Sequence, residues 1–160
     1  MAEDINRQRV LNFFAGYYGG DVEAALKCCA EDMLLMVYLP VELFPYMGPQ
    51  RGRKAVADLM AVLDGRYSKR KHEVQFLVAD RERAAAIVDV TFTKRADGRV
   101  LRLPSGNFFE FRHGLITEIR CFFDTIDWVS QLTGRDMVGP LLREAGPELR
   151  PPNPAPAVTG

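Results

Sequence analysis

HEVQFLVADRERAAAIVDVTFTKRADGRVLRLPSGNFFEFRHGLITEIRCFFD, residues 72–124, breaks into five short runs rich in β-branched and aromatic residues. The runs are HEVQFLVA, AAAIVDVTFTK, RVLRLP, GNFFEFR and LITEIRCFFD, with turn chemistry at Asp80 to Arg83, at Ala96-Asp97-Gly98 and at His113-Gly114. Such a series predicts an antiparallel meander. The residues before it follow a different period. Val10, Phe13, Phe14, Tyr17 and Tyr18 recur at helical spacing until Gly19-Gly20. Asp21 then reads as the N-cap of a shorter helix whose inward face is Val22, Ala25, Leu26 and Cys29. After Asp32, MLLMVYL predicts a strand covered on both sides and ended by Pro40. Residues 53–63 return to helical spacing through Val56, Leu59, Met60 and Leu63.

Helices first and strands afterwards predict an α+β fold: a cone-shaped, strongly curved, mostly antiparallel sheet wrapped on three N-terminal helices. Three short helices cannot fill such a curve, so a pocket is expected between the layers. Between the second helix-forming region and the third lies PVELFPYMGPQRG, whose three prolines forbid regular structure but whose apolar content suits a lid. Residues 1–133 are expected to form this domain. The last segment, from Trp128 on, reads as one more short helix followed by proline-rich sequence, and residues 134–160 as a C-terminal extension disordered toward its end from about Pro147.

Composition narrows the partners. The 160 residues carry 21 Lys plus Arg against 21 Asp plus Glu, so no net field draws the chain to nucleic acid or to an anionic membrane. The apolar runs are too short to span a bilayer, and the start MAEDINRQRV lacks signal-peptide architecture, so a cytoplasmic protein is expected. Cys28, Cys29 and Cys121 form neither a disulfide framework nor a spaced metal motif and read as reduced thiols. His72 and His113 have no partner at ligand spacing and read as surface residues; no metal or cofactor motif is present. Arg66, Lys69, Arg70 and Lys71 read as a solvated edge.

VLNFFAGYYGGDVEAAL, CAEDMLLM, QRGRKAVADLMAVL and FFEFRHGLITEIRCFFD, in that order, resemble the nuclear transport factor 2-like superfamily, which includes ketosteroid isomerases, limonene-epoxide hydrolases, scytalone dehydratase and SnoaL-like polyketide cyclases. The resemblance runs from about Arg9 to Leu132. It implies a cofactor-free enzyme, an isomerase, hydrolase, dehydratase or cyclase, acting by general acid/base chemistry on a hydrophobic cyclic substrate. A non-catalytic binding module is the alternative. The ketosteroid isomerase set is not retained: Phe13 stands where a tyrosine is wanted, Val37 near the aspartate base and Asn107 near the protonated acid. In the epoxide hydrolase pattern Asp89 matches one aspartate, whereas Ile87 stands at the arginine, Cys121 at the second aspartate, and Leu35 and Val37 at the water-holding pair.

Asp89 is the leading catalytic candidate. Alternation in AAAIVDVTF puts Ile87, Asp89 and Thr91 on one face, and a carboxylate among apolar neighbours inside a pocket is tuned toward a general acid or base. The competing reading is a carboxylate satisfied by an arginine such as Arg102 or Arg120. Asn107 is a candidate donor to a developing oxyanion. Tyr17, one turn beyond Phe13, is the third catalytic candidate, with packing as its alternative role. The expected pocket wall comprises Phe13, Leu35, Val37, Leu59, Ile87, Phe109, Ile119 and Cys121. Tyr38 is placed at the mouth, and Phe44 and Tyr46 in the lid. Val88, Val90, Phe92, Phe108 and Phe122 are assigned to the outer sheet face, where a homodimer is expected to form.

Overall fold

The first helix, α1 (Ala2–Gly19), buries Val10, Phe13, Phe14 and Tyr18, as the 3.6-residue spacing requires. It ends at Gly20, whose left-handed backbone (φ 81°) lets its N–H reach the Gly16 carbonyl. Asp21 caps α2 (Val22–Lys27) by accepting from the Ala24 N–H at 3.0 Å. That helix stops before Cys29. A six-residue helix has little of its own to hold it together, and the Cys28 carbonyl accepts the Ile116 N–H at 2.9 Å, drawing the chain into a strand. The computed structural model describes residues 1–144.

The sheet contains β1 (Cys29–Val37), β2 (Gly48–Arg51), β3 (Tyr67–Ala79), β4 (Arg83–Lys94), β5 (Val100–Arg112) and β6 (Leu115–Phe122), with α3 (Arg53–Arg66) between β2 and β3. Its order is β2-β1-β6-β5-β4-β3. The meander β3–β6 is antiparallel, as predicted, but has four strands instead of five runs, because RVLRLP and GNFFEFR join in the single strand β5 that pairs with β4 throughout; the last hairpin turns through His113 (φ 53°) and Gly114 (φ 71°). β1 instead lies parallel to β6, which makes the sheet mixed. Register breaks in β3, between Glu110 and Phe111, and between Cys29 and Leu34 bend the strands, so the sheet curves.

The proline-rich connection is not wholly irregular. Gly48–Arg51 pairs with β1, and its Pro49 is tolerated because β2 is an edge strand. The helices α1–α3 and the sheet form one compact unit, Met1–Thr125. A second unit begins at Ile126. It carries most of α4 (Thr125–Thr133), and α5 (Val138–Glu144), where Asp136 accepts from the N–H groups of Val138 and Gly139. The predicted disorder from about Pro147 lies outside the described residues. No helix among the described residues is long and apolar enough to cross a membrane.

Candidate functional site

Strand pairing settles which face each residue takes. Ala84, Ala86, Val88, Val90 and Phe92 are buried, and these alternate residues of β4 face the helices. Asp89 is therefore outward and exposed, directly opposite Glu73 on β3 and Pro104 on β5. Ile87, 48 % exposed, shares that outer face. The expectation of an inward Asp89 and a pocket-lining Ile87 is thus corrected, as is the assignment of Val88, Val90 and Phe92 to the outside. The alternation itself was read correctly, but the more apolar of the two sets is the one that buries. Phe108 and Phe122 are outward, as expected.

Two adjacent rows on the inner face bring the other candidates together. Ala84, Phe109, Ile119 and Leu35 lie side by side across β4, β5, β6 and β1; next to them run Ala86, Asn107, Cys121 and Val37. Over these rows lies α1. Phe13 and Tyr17, four residues apart, stack with ring centroids 5.4 Å apart, and Phe13 meets Phe109 edge-on at 6.2 Å. Tyr17 and Cys121 both keep accessible surface, yet both stand deep in the protein. Burial pushes the Cys121 thiol up to about 12, against a weaker downward pull from a hydrogen bond with Ser105. The Tyr17 phenol is raised first by burial and then by Cys121, while the Arg70 guanidinium pulls it back. Both lie between α1 and the inner face of the sheet, not on its outer face.

The polar groups between Tyr17 and Cys121 are neutral. Ser105 Oγ donates to the Val88 carbonyl at 3.3 Å and accepts from Asn107 Nδ2 at 3.1 Å; Nδ2 also reaches the Ser105 carbonyl at 3.4 Å. Its nitrogen engaged by Ser105, Asn107 is not the open donor expected of it. The Tyr17 hydroxyl makes no hydrogen bond among the described residues and is the free donor. Every Asp and Glu among the described residues is exposed except Glu118, which pairs with Arg120.

Tyr38 is not at the pocket mouth. Its ring stacks on Phe122 at 4.0 Å and its hydroxyl accepts from Arg120 Nη1 at 2.9 Å, both on the outer side, because Met33, Leu35 and Val37 take the inward positions of β1. Phe44 and Leu59 are buried, while Tyr46 lies under the Arg66 guanidinium, 5.0 Å from the ring centroid. Two inward residues of β3 escaped the sequence reading. Arg70 and His72 pair with Phe92 and Val90 and so face the helices, and the His72 ring stacks on Tyr18 at 5.3 Å. Their signal was the alternation Arg70, His72, Val74, masked because the intervening Lys69, Lys71 and Glu73 made the whole segment look solvated.

The sequence profile described as SnoaL-like domain matches residues 10–119, more than half of the chain. The chain belongs to the SnoaL-like family. No curated protein matches this SnoaL-like chain. Among solved structures it is similar to a candidate isomerase from Rhodopseudomonas palustris, with 21 % identity, a TM-score of 0.69 and coverage of 79 % of this chain and 93 % of that one. It is also similar to a candidate polyketide cyclase from Pseudomonas putida, at 25 % identity and TM-score 0.64, over 79 % of this chain and 96 % of that one. An LEH-like epoxide hydrolase of M. tuberculosis shares 16 % identity at TM-score 0.68, over 89 % of this SnoaL-like chain and 99 % of its own. At such identities the likeness is one of fold.

Proposed function

We propose that this SnoaL-like chain binds a small hydrophobic molecule bearing an oxygen function in the hollow between α1 and the inner sheet face. The carrying observation is that Tyr17 and Cys121, on opposite walls, are both accessible and both deeply desolvated. Apolar rings supply the affinity, the Tyr17 hydroxyl donates to the ligand oxygen, and the Asn107 carbonyl accepts from a ligand hydroxyl where one is present. The Cys121 thiol stays protonated at neutral pH and serves as wall. The binding protein is a homodimer through the outer sheet face and works in the cytosol, a compartment that suits its adjacent free thiols Cys28 and Cys29.

A second reading keeps catalysis, as the names of the SnoaL-like fold neighbours favour. Here the Tyr17 hydroxyl polarises a carbonyl or epoxide oxygen, and the ligand itself or water takes up the proton, in an isomerase, hydrolase, dehydratase or cyclase reaction. No carboxylate of the described residues stands on the inner face to act as base, so binding is the leading function.

Calorimetric titration with 2-acetylnaphthalene, a hydrophobic ketone, tests both. Tyr17→Phe should weaken binding about two- to tenfold, the net worth of one hydrogen bond, while Asp89→Asn leaves it unchanged. Filling the hollow by Cys121→Trp should abolish it. Loss of affinity in Asp89→Asn, or full affinity in Cys121→Trp, would overturn the assignment. Under the catalytic reading, wild type in D2O accelerates deuterium exchange into the ketone's methyl group and Tyr17→Phe does not; under the leading one neither does.

A further inference from the structure

Residues 38–47 leave the sheet and return to it at the same place. Val37 and Gly48, which bracket them, are paired across β1 and β2, so the segment is a closed loop on a short two-stranded stem. Pro49 in that stem has no N–H to give the ladder. Among the described residues, the backbone hydrogen bonds of residues 40–47 stay within the loop. The N–H groups of Leu43 and Phe44 donate to the Pro40 carbonyl at 3.1 and 3.0 Å, and that of Met47 to the Phe44 carbonyl at 2.9 Å. At the foot Gly48 takes φ 91°, and a Cβ there would stand 3.0 Å from Val41 Cγ1. The loop therefore closes over a residue that has no side chain, and it holds its own shape without being woven into its surroundings.

Side chains tie it down. Leu39 and Phe44 are buried, while Val41 and Leu43 between them are 46 % and 60 % exposed. Tyr46 supplies the other tie, for the Arg66 guanidinium lies over its ring, 5.0 Å from the centroid. Arg66 ends α3 and immediately precedes β3, the margin of the sheet opposite β2. The root of the loop lies beside the inner face: Val37 pairs with Cys121, and the Tyr38 N–H donates to the Cys121 carbonyl at 3.1 Å. One contact thus joins a loop rooted at β1 to the start of the strand at the far margin.

We propose that residues 38–47 are a hinged cover at this end of the inner sheet face, with Gly48 as the hinge and the Arg66–Tyr46 contact as the latch. A cation over a half-buried ring is a weak tie that thermal motion undoes often, so it sets how frequently the cover opens. The inference rests on the ligand reading of the inner face for what passes the cover; the latch itself is a property of the loop.

The test places a thiol under the cover by Phe44→Cys and follows its reaction with a maleimide in the full chain, in excess of the reaction of the wild-type chain. Arg66→Gln and Tyr46→Leu should each speed it about two- to fivefold, the worth of one cation–π contact, and together no more than either alone. Arg66→Lys, which keeps the cation, should stay near the parent rate. Cys28 and Cys29 should react as slowly as before. A parallel rise at those two thiols means general loosening of the fold and overturns the latch, as does an unchanged rate in either single variant. A second measurement needs no added cysteine. Stopped-flow mixing of Arg66→Gln with 2-acetylnaphthalene should show association and dissociation both about two- to fivefold faster with Kd held within about twofold, as a gate requires. Rates equal to those of wild type overturn the latch. If the ketone does not bind at all, the ligand reading falls and the thiol reaction alone decides the latch.

Discussion

His72 shows how one buried ring ties stability to pH. Its imidazole is half-buried against Tyr18 and Phe14, and burial holds its pKa below the usual 6.5. Below pH 6.5 the unfolded chain therefore takes up a proton that the folded chain resists. The contribution is fully present above that pH and is lost as pH falls through the folded value. Asp32, Asp80 and Asp97 are held below the ordinary 3.8 by hydrogen bonds, Asp32 chiefly to Arg112 and the other two chiefly to backbone N–H groups, so their loss comes only in stronger acid. The window between about pH 6.5 and 4 belongs to the histidine. Melting temperatures at pH 7.5 and 5.0 should fall less in His72→Gln than in wild type, and an equal drop in both would remove His72 from the account. The same residue marks a limit of reading the chain without its fold. Flanked by Lys71 and Glu73, it looks like surface, and only its pairing with Val90 reveals its side.

At the scale of elements, periodicity was legible and facing was not. The 3.6-residue stripe of α1 and the strand series 72–124 carry the fold class, because hydrophobic burial imposes both periods directly. Which set of an alternating strand turns inward is a question of pairing. In β4 both sets contain apolar residues, so Asp89 fell on the wrong side in the sequence reading; in β3 the register break between Val74 and Phe76 reverses the parity, turning Phe76 and Val78 outward while Leu77 turns in. Within the site, Tyr17 was legible from its spacing of one helical turn beyond Phe13, and Asn107 and Cys121 through the family resemblance, whereas Arg70 lay hidden in a basic run. The packing of α1 on α2 gives an element-level prediction. A Cβ at Gly16 would stand 2.7 Å from the Ala25 nitrogen, too close for the helices to keep their approach. Gly16→Ala should cost about 1–3 kcal/mol, lowering the melting temperature by several degrees. Gly19→Ala, in the same helix but with open space around it, should be neutral or slightly stabilising in the same melt. Equal melting of the two variants would remove the close crossing from the account.

For the molecule as a whole, the two faces of the sheet divide the work. The inner face packs against the helices; the outer carries Phe76, Val78, Ile87, Phe108 and Phe122, all between 40 % and 51 % exposed. Two neighbouring rows hold them, Phe76-Ile87-Gly106-Phe122 and Val78-Ala85-Phe108-Arg120, so the patch is continuous across four strands. Tyr38 extends it over β1 by stacking on Phe122. Beside it lie the acidic pair Glu73 and Asp89 and, in the next row on either side of Thr91, the basic Lys71 and Arg102, signs that a two-fold axis can set against each other in a second copy. A patch of this kind left in water favours self-association, with the apolar centre supplying most of the energy. Replacing Phe108 by arginine places a charge at that centre, and the expected result by light scattering is a shift from dimer to the 18.0 kDa of one chain. Because Phe108 points away from Asn107 and Phe109, the same variant should bind 2-acetylnaphthalene as wild type does. A wild-type chain that is monomeric at micromolar concentration, or a Phe108→Arg dimer, would move the interface off this face.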